Sequence, residues 1–364
     1  MYNPKVAMIN SGYEGCSYVR IYLPCVYNGY WTDKPSMLKD RLGLDEIKQQ
    51  IDSADVVVFH RAEEQEYHRL AKMLKAQGKK IVMDNDDTFA IEGYHPLGQF
   101  TPDGKKIDNL KRRSDNINDF IKMCDLVTAS TEVLADEYRK INPNTIVLPN
   151  YVDPDDWDKP KRNTGDKIKI GLIGSAAMEY DYLHIKDVIR QLSERDDVEL
   201  IMFGLGDIKH RKHNPLVTKV FKEEYAFWDS IKMTQIPWCK RADYNKALNE
   251  CKLDFMLIPR KENYFNTCKS NIKFLEASMC EIPVIVQSFK NSPYEEITDG
   301  VDGILIHDNK DWMDKIELLI KDKELRLRIG KNAHKYVLDN YNIENNAYKW
   351  ANAYKSLFVW EQLK

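Results

Sequence analysis

Short apolar runs alternate with amphipathic stretches along the chain. KVAMIN (5–10), DVVVFH (55–60), KKIVMD (79–84), DLVTAS (125–130) and NTIVLPN (144–150) each read as a strand. Their apolar positions are contiguous rather than alternating, as expected for strands buried on both faces. Helical patterns lie between them, such as EEQEYHRLAKMLKAQG (63–78), which closes on a glycine. Strands separated by helices predict βαβ units and a parallel sheet. The pattern breaks over YVDPDDWDKPKRNTGDK (151–167), which has two prolines and no periodicity and reads as a linker. A second series follows: IKIGLIGS (168–175), VELIMFG (198–204), KMTQIPW (232–238), LDFMLIP (253–259), IPVIVQ (282–287) and GILIH (303–307). Helical patterns close the chain, and there is no internal repeat. The expectation is two doubly wound α/β domains, residues 1–155 and 165–340, followed by a helical tail at 341–364. Ligands of such sheets bind outside the carboxyl ends of the strands, so function is expected in the loops after them.

Composition narrows the class. The 364 residues suit two domains. No apolar run approaches the roughly 18 residues of a membrane span, and the first residues carry no signal-peptide pattern. Seven scattered cysteines without a CxxC pair disfavour a disulfide framework or a zinc module and suit a reducing cytoplasm. Residues 1–160 carry 21 basic and 26 acidic side chains, and the remainder 33 and 31. Neither part has the excess of a nucleic-acid-binding face.

The segment LDFMLIPRKENYFNTCKSNIKFLEASMCEIPVIVQ (253–287) carries the most chemistry. A strand ends at Pro259 and a helix is expected to begin near Lys269 and Ser270, with the Ser270 hydroxyl as N-cap. A helix start of this kind is a phosphate site. Lys269, Lys273 and Glu276 fall on nearly one face: phosphate first, then a carboxylate one turn deeper for the hydroxyls of a ribose. The competing reading is an amphipathic helix with Ile272, Leu275 and Met279 inward and its lysines in solvent.

Phe265, Asn266, Lys269, Ser270, Lys273, Glu276 and Pro283 together reproduce the pattern F-N-x-x-K-S-x-x-K-x-x-E followed by a strand entered through Pro. This resembles a branch of the retaining GT-B glycosyltransferases of family 4. IGLIGSAAM, SPYEEITDGVDGILIHDNKDW and ELRLRIGKNAHKYV resemble further blocks of that family in the same order. The resemblance covers residues 125–345 well and the N-terminal third more loosely. It implies two Rossmann-like domains facing a cleft, a nucleotide-sugar donor (UDP favoured) in the second, and a last helix, with Trp350 and Trp360, packed back on the first. Carried over, Gly174 and Ser175 approach the diphosphate, Lys269 and the amides near Ser270 neutralise it, and Glu276 holds the ribose. The stretch Trp238–Tyr244 borders the base, with Trp238 either stacked on it or in the core. Many members have two glutamates separated by seven residues. Here the first position is Cys268, which shifts the holding of the donor sugar to Asn266 or to backbone.

In the first domain, SGYEGCSYVRIYLP (11–24) reads as a loop whose Gly12 and Gly15 permit close approach to a ligand, with Arg20 either meeting a substrate anion or lying on the surface. His60 and Arg61 end the second strand. The resemblance sets a polar residue there against the transferred sugar; a satisfied strand-end histidine is the alternative. Asp84, Asp86 and Asp87 follow the third strand as a D-x-D metal site, as acceptor-binding carboxylates, or as a helix cap. The resemblance favours the acceptor, because GT-B enzymes neutralise the leaving diphosphate with dipoles and cations. GLG (204–206) is too short for a dinucleotide fingerprint, and KHRKH (209–213) is a solvated loop or a contact to a polyanionic acceptor.

The expectation is thus a glycosyltransferase in which Lys269, His60, Arg61 and Asp86 serve the reaction. Gly12, Gly15, Gly174, Ser175, Trp238, Tyr244, Asn266, Ser270, Lys273 and Glu276 bind the donor, and Arg20, Asp84 and Asp87 the acceptor. No metal or other cofactor is expected. A hydroxymethylated base in DNA is an alternative to a glycan acceptor, and nucleotide-sugar binding without transfer is an alternative to catalysis.

Overall fold

The computed structural model describes residues 2–10, 14–32, 44–89, 99–100, 106–107, 110–174, 178–204 and 222–358. The first sheet comprises β1 (Val6–Ile9), β2 (Trp31–Thr32), β3 (Val56–His60), β4 (Lys80–Asn85), β7 (Leu126–Ala129) and β8 (Thr145–Val147), in the order β2-β1-β3-β4-β7-β8. β5 (Gln99–Phe100) and β6 (Lys106–Ile107) form a separate antiparallel pair. The second sheet comprises β9 (Ile168–Ile173), β10 (Val198–Phe203), β11 (Thr234–Ile236), β12 (Phe255–Ile258), β13 (Val284–Gln287) and β14 (Ile304–Ile306), in the order β11-β10-β9-β12-β13-β14. All pairings in both large sheets are parallel. These are the two doubly wound sheets expected from the apolar runs. The short β2, β5 and β6 went unread because two residues carry no periodicity.

Contiguous apolar strands are needed because both sheet faces are covered. Along β1 and β3, Ala7, Ile9, Val57 and Phe59 face one side, packed against Phe120, Leu134 and Tyr138. Val6, Met8, Val56 and Val58 face the other, against Ile21, Leu23, Trp350 and Tyr354. Trp350 and Tyr354 belong to the helix Tyr348–Ser356, which crosses from the second domain onto the first. The crossing runs beside the linker: Val152 N donates to Tyr341 O and Ile343 N to Val152 O, each at 2.9 Å. Trp360 lies outside the described residues.

The helix Lys323–Tyr341 is seated on the second domain at Gly330, where an added Cβ would lie 2.1 Å from the Glu281 carbonyl oxygen. Backbone cannot yield as a side-chain tip does. Gly330→Ala should therefore cost about 1–3 kcal/mol of stability, as overpacked cores do. Urea denaturation with an unshifted midpoint would show that the two segments part freely.

Candidate functional site

Strand order reverses between β1 and β3 in one sheet and between β9 and β12 in the other. The crevices beyond their carboxyl ends are the ligand positions of doubly wound sheets. After β1 the chain is helical rather than looped: Glu14–Ser17, a π-helical turn Tyr18–Tyr22, then Leu23–Asn28. Gly12 and Ser175 lie outside the described residues. Gly15 falls inside the first helical turn, and a Cβ there would meet no described atom within 4 Å.

Arg20 and Asp84 were expected on a substrate, but they hold each other. Both are fully buried. Arg20 Nε and Nη2 donate to the two Asp84 oxygens at 2.9 and 2.6 Å. Arg20 Nη1 binds the Leu148 carbonyl and Asn150 Oδ1, and Thr128 Oγ1 donates to Asp84 at 2.6 Å. A buried pair that makes four bonds from the guanidinium and accepts three at the carboxylate is a structural element. Its guanidinium also lies 5.8 Å from the Trp350 ring, under the returning helix.

The next charges lie just beyond the carboxyl ends of β3 and β4. Arg61 follows β3 with φ of +50°, a left-handed conformation that non-glycine residues adopt where their surroundings impose it. Its Nε donates to Asp86 Oδ1 at 2.7 Å and its Nη2 to Asp87 Oδ2 at 2.6 Å and Cys16 Sγ at 3.2 Å. His60 Nε2 lies 3.5 Å from Asp86 Oδ1, and its Nδ1 lies 3.3 Å from Ser17 Oγ. Burial works to raise the Asp86 pKa. The Arg61 charge and the His60 hydrogen bond outweigh it and hold the carboxyl well below the usual range. Asp87 Oδ1 accepts from Lys269 Nζ, which arrives from the other domain. The acidic triplet therefore meets cations one by one: Asp84 with Arg20, Asp86 with Arg61, and Asp87 with Arg61 and Lys269.

In the second domain, Gly174 follows β9, and a Cβ there would meet Met178 Sδ at 2.5 Å. Beyond β12, Asp181 anchors the chain: it accepts from Arg260 Nη1 (2.8 Å), Lys261 N (3.0 Å) and Asn266 Nδ2 (2.8 Å). Asn266 is thus an internal strut of this segment, buried and bonded also to the Lys261 carbonyl, rather than a group presented to a donor sugar. The helix begins at Ile272 with Asn271 as N-cap, so Ser270 is not the cap. Its hydroxyl instead accepts from Asn150 Nδ2 of the first domain at 2.8 Å. Further along that helix, Lys273 Nζ and Tyr244 OH both donate to Glu276 Oε2 at 2.8 Å. Among the described contacts Glu276 Oε1 accepts nothing. The lysines are not solvated, because the Lys269, Lys273 and Glu276 side chains are 20%, 16% and 16% exposed. Trp238 is 59% exposed, which removes the core reading. KHRKH and all of GLG except Gly204 lie outside the described residues.

The segment 264–270 also fastens the domains. Tyr264 OH donates to Glu137 at 2.7 Å and Thr131 Oγ1 to the Cys268 carbonyl at 3.1 Å. Cys268 itself is buried within the core of the first domain. Burial, with Glu137 nearby, pushes its thiol up to about 12. Sequence reasoning missed Asp181, Arg260, Asn150 and Arg241. Only Arg241 gave a signal, a cation opening a helix three residues after Trp238.

Comparison with known proteins accords with this geometry. Residues 153–336 match the family described as glycosyl transferases group 1, and the chain belongs to it. Sucrose-phosphate synthase from Thermosynechococcus elongatus superposes with a TM-score of 0.65 at 13% identity, over 98% of this chain and 99% of that one. Anabaena Alr3699/HepE, in complex with UDP and glucose, gives 0.65 at 13% identity over 97% and 100%. Staphylococcus aureus TarM, crystallised with UDP, gives 0.57 at 15% identity over 82% of this chain, which spans 55% of TarM. No curated protein sequence matches significantly. The fold is GT-B, and no helix among the described residues is long and apolar enough to cross a membrane.

A depressed carboxyl pKa stabilises the fold above the unfolded value of about 4. That contribution is lost as pH falls through the lower folded value. Asp86→Asn should cost about 1.5–3 kcal/mol at pH 7, because buried Arg61 loses one of its two carboxylate partners and keeps Asp87. The gap to wild type in urea unfolding should shrink by pH 3; a constant gap would remove Asp86 from this linkage.

Proposed function

We propose that the protein transfers a sugar from a UDP-sugar to a hydroxyl of a glycan acceptor, with retention of anomeric configuration, as the family 4 resemblance implies. The observation that carries the reading is the Glu276 carboxylate, fixed through Oε2 by Tyr244 and Lys273 with Oε1 left to accept from a ribose hydroxyl. Lys269 and the amides at the start of the helix Ile272–Met279 neutralise the diphosphate. The backbone at Gly174 borders the diphosphate, and the exposed Trp238 ring stacks on the base. His60, Arg61, Asp86 and Asp87 form the opposite wall, where the transferred sugar and the acceptor meet. Charge neutralisation is assigned to the lysines and the helix start, without a metal. Seven free thiols, five of them buried, suit a reducing compartment such as the cytoplasm.

The test is calorimetry with UDP, followed by transfer assays over donor and acceptor panels. Lys269→Ala removes a charge-assisted contact of about 1.5–3 kcal/mol, so UDP binding should weaken about 10- to 150-fold. Unchanged affinity would remove this lysine from the donor site. Transfer to hydroxymethylated DNA with steep salt dependence would replace the glycan, and binding without turnover on every acceptor would replace catalysis.

A further inference from the structure

Arg241 opens the helix Arg241–Glu250 and reaches three parts of the molecule at once. Its guanidinium carbon lies 3.7 Å from the centroid of the Tyr18 ring, in the π-helical turn of the first domain. It lies 5.8 Å from the ring of Tyr244, whose hydroxyl donates to Glu276 and whose ring stacks on Phe203 at 5.5 Å. Its Nη1 donates to Asn245 Oδ1 at 2.8 Å, and Asn245 Nδ2 donates to the Asp156 carbonyl of the linker at 3.2 Å. Tyr18 is backed in turn by Tyr22, stacked at 5.4 Å. Arg241 and Asn245 line a cavity of about 280 Å³ between the domains together with Tyr18, Tyr22, Asp156 and Trp157. Burial lowers the Arg241 pKa against the pull of Glu276 and Asp156, yet an arginine stays charged at any working pH.

A planar cation against an aromatic face is a directional contact. It joins a ring of the first domain to the tyrosine that orients the ribose carboxylate of the second. We propose that Arg241 is a positioning residue of the donor site, a strut between Tyr18 and Tyr244 that holds Glu276 in its ribose-binding geometry while the two domains are in contact. The proposal rests on the donor-site reading above. It implies that nucleotide affinity, although set by groups of the second domain, depends on a ring in the first.

The experiment measures UDP affinity by calorimetry, with donor KM and kcat, for the full chain and for Arg241→Ala, Arg241→Lys and Tyr18→Leu, each shown to be folded by its thermal melt. Losing the stacked cation should weaken UDP binding about 3- to 30-fold in Arg241→Ala. Donor KM should rise while kcat changes little. Tyr18→Leu should move the same way, Arg241→Lys should recover part of the loss, and the double variant Arg241→Ala with Tyr18→Leu, measured alongside, should be no worse than the worse single one. Folded Arg241→Ala that binds UDP as wild type does, or losses that simply add in the double variant, would overturn the strut alone. A wild type that binds no nucleotide would overturn the donor-site reading and the strut with it.

Discussion

The contact between Lys269 and Asp87 is the constraint on which the cleft depends. It is a bond between domains, and it closes a row of alternating charges, Asp86, Arg61, Asp87, Lys269, that no member could occupy alone. A partly buried charge is tolerable only beside its opposite. The row therefore fixes the end of β3, the end of β4 and the segment after β12 relative to one another. The left-handed backbone at Arg61 is the local cost of that arrangement. In the proposed reaction a diphosphate enters beside this row, so the cation that meets it is already held at the domain boundary.

Much of the architecture could be read from sequence because doubly buried strands leave a dense signal. Val56–His60 and Phe255–Ile258 are apolar at nearly every position, since helices cover both faces. The stretch 11–24 was read as a loop because its Gly15, Ser17 and Pro24 look like loop residues, whereas the chain is helical from Glu14. Pro24 lies in the first turn of a helix, where its missing N–H costs little, and the π-helical turn before it absorbs the change in hydrogen bonding. Burial of Tyr18, Val19, Ile21 and Leu23 then overrides local propensity.

Within the site, Lys273 and Glu276 were legible because helical spacing alone brings them together. Partners distant in sequence were not. Nothing local indicates that Arg20 meets Asp84, or that Asn266 turns inward to Asp181. Each depends on which strand lies beside which. The departure at Cys268, where the family 4 resemblance led us to expect a glutamate, now has a physical account: this chain buries a small thiol in the first domain's core and bonds the same residue's carbonyl to Thr131.

The paired crossing at Val152 and Ile343 has a mechanical consequence. Two chain segments bonded side by side behave as a hinge with two pins rather than as a single swivel. Such a joint bends readily about one line and resists twisting about any other. Any parting of the lobes about this line would have to break the Arg241–Tyr18 and Lys269–Asp87 contacts together.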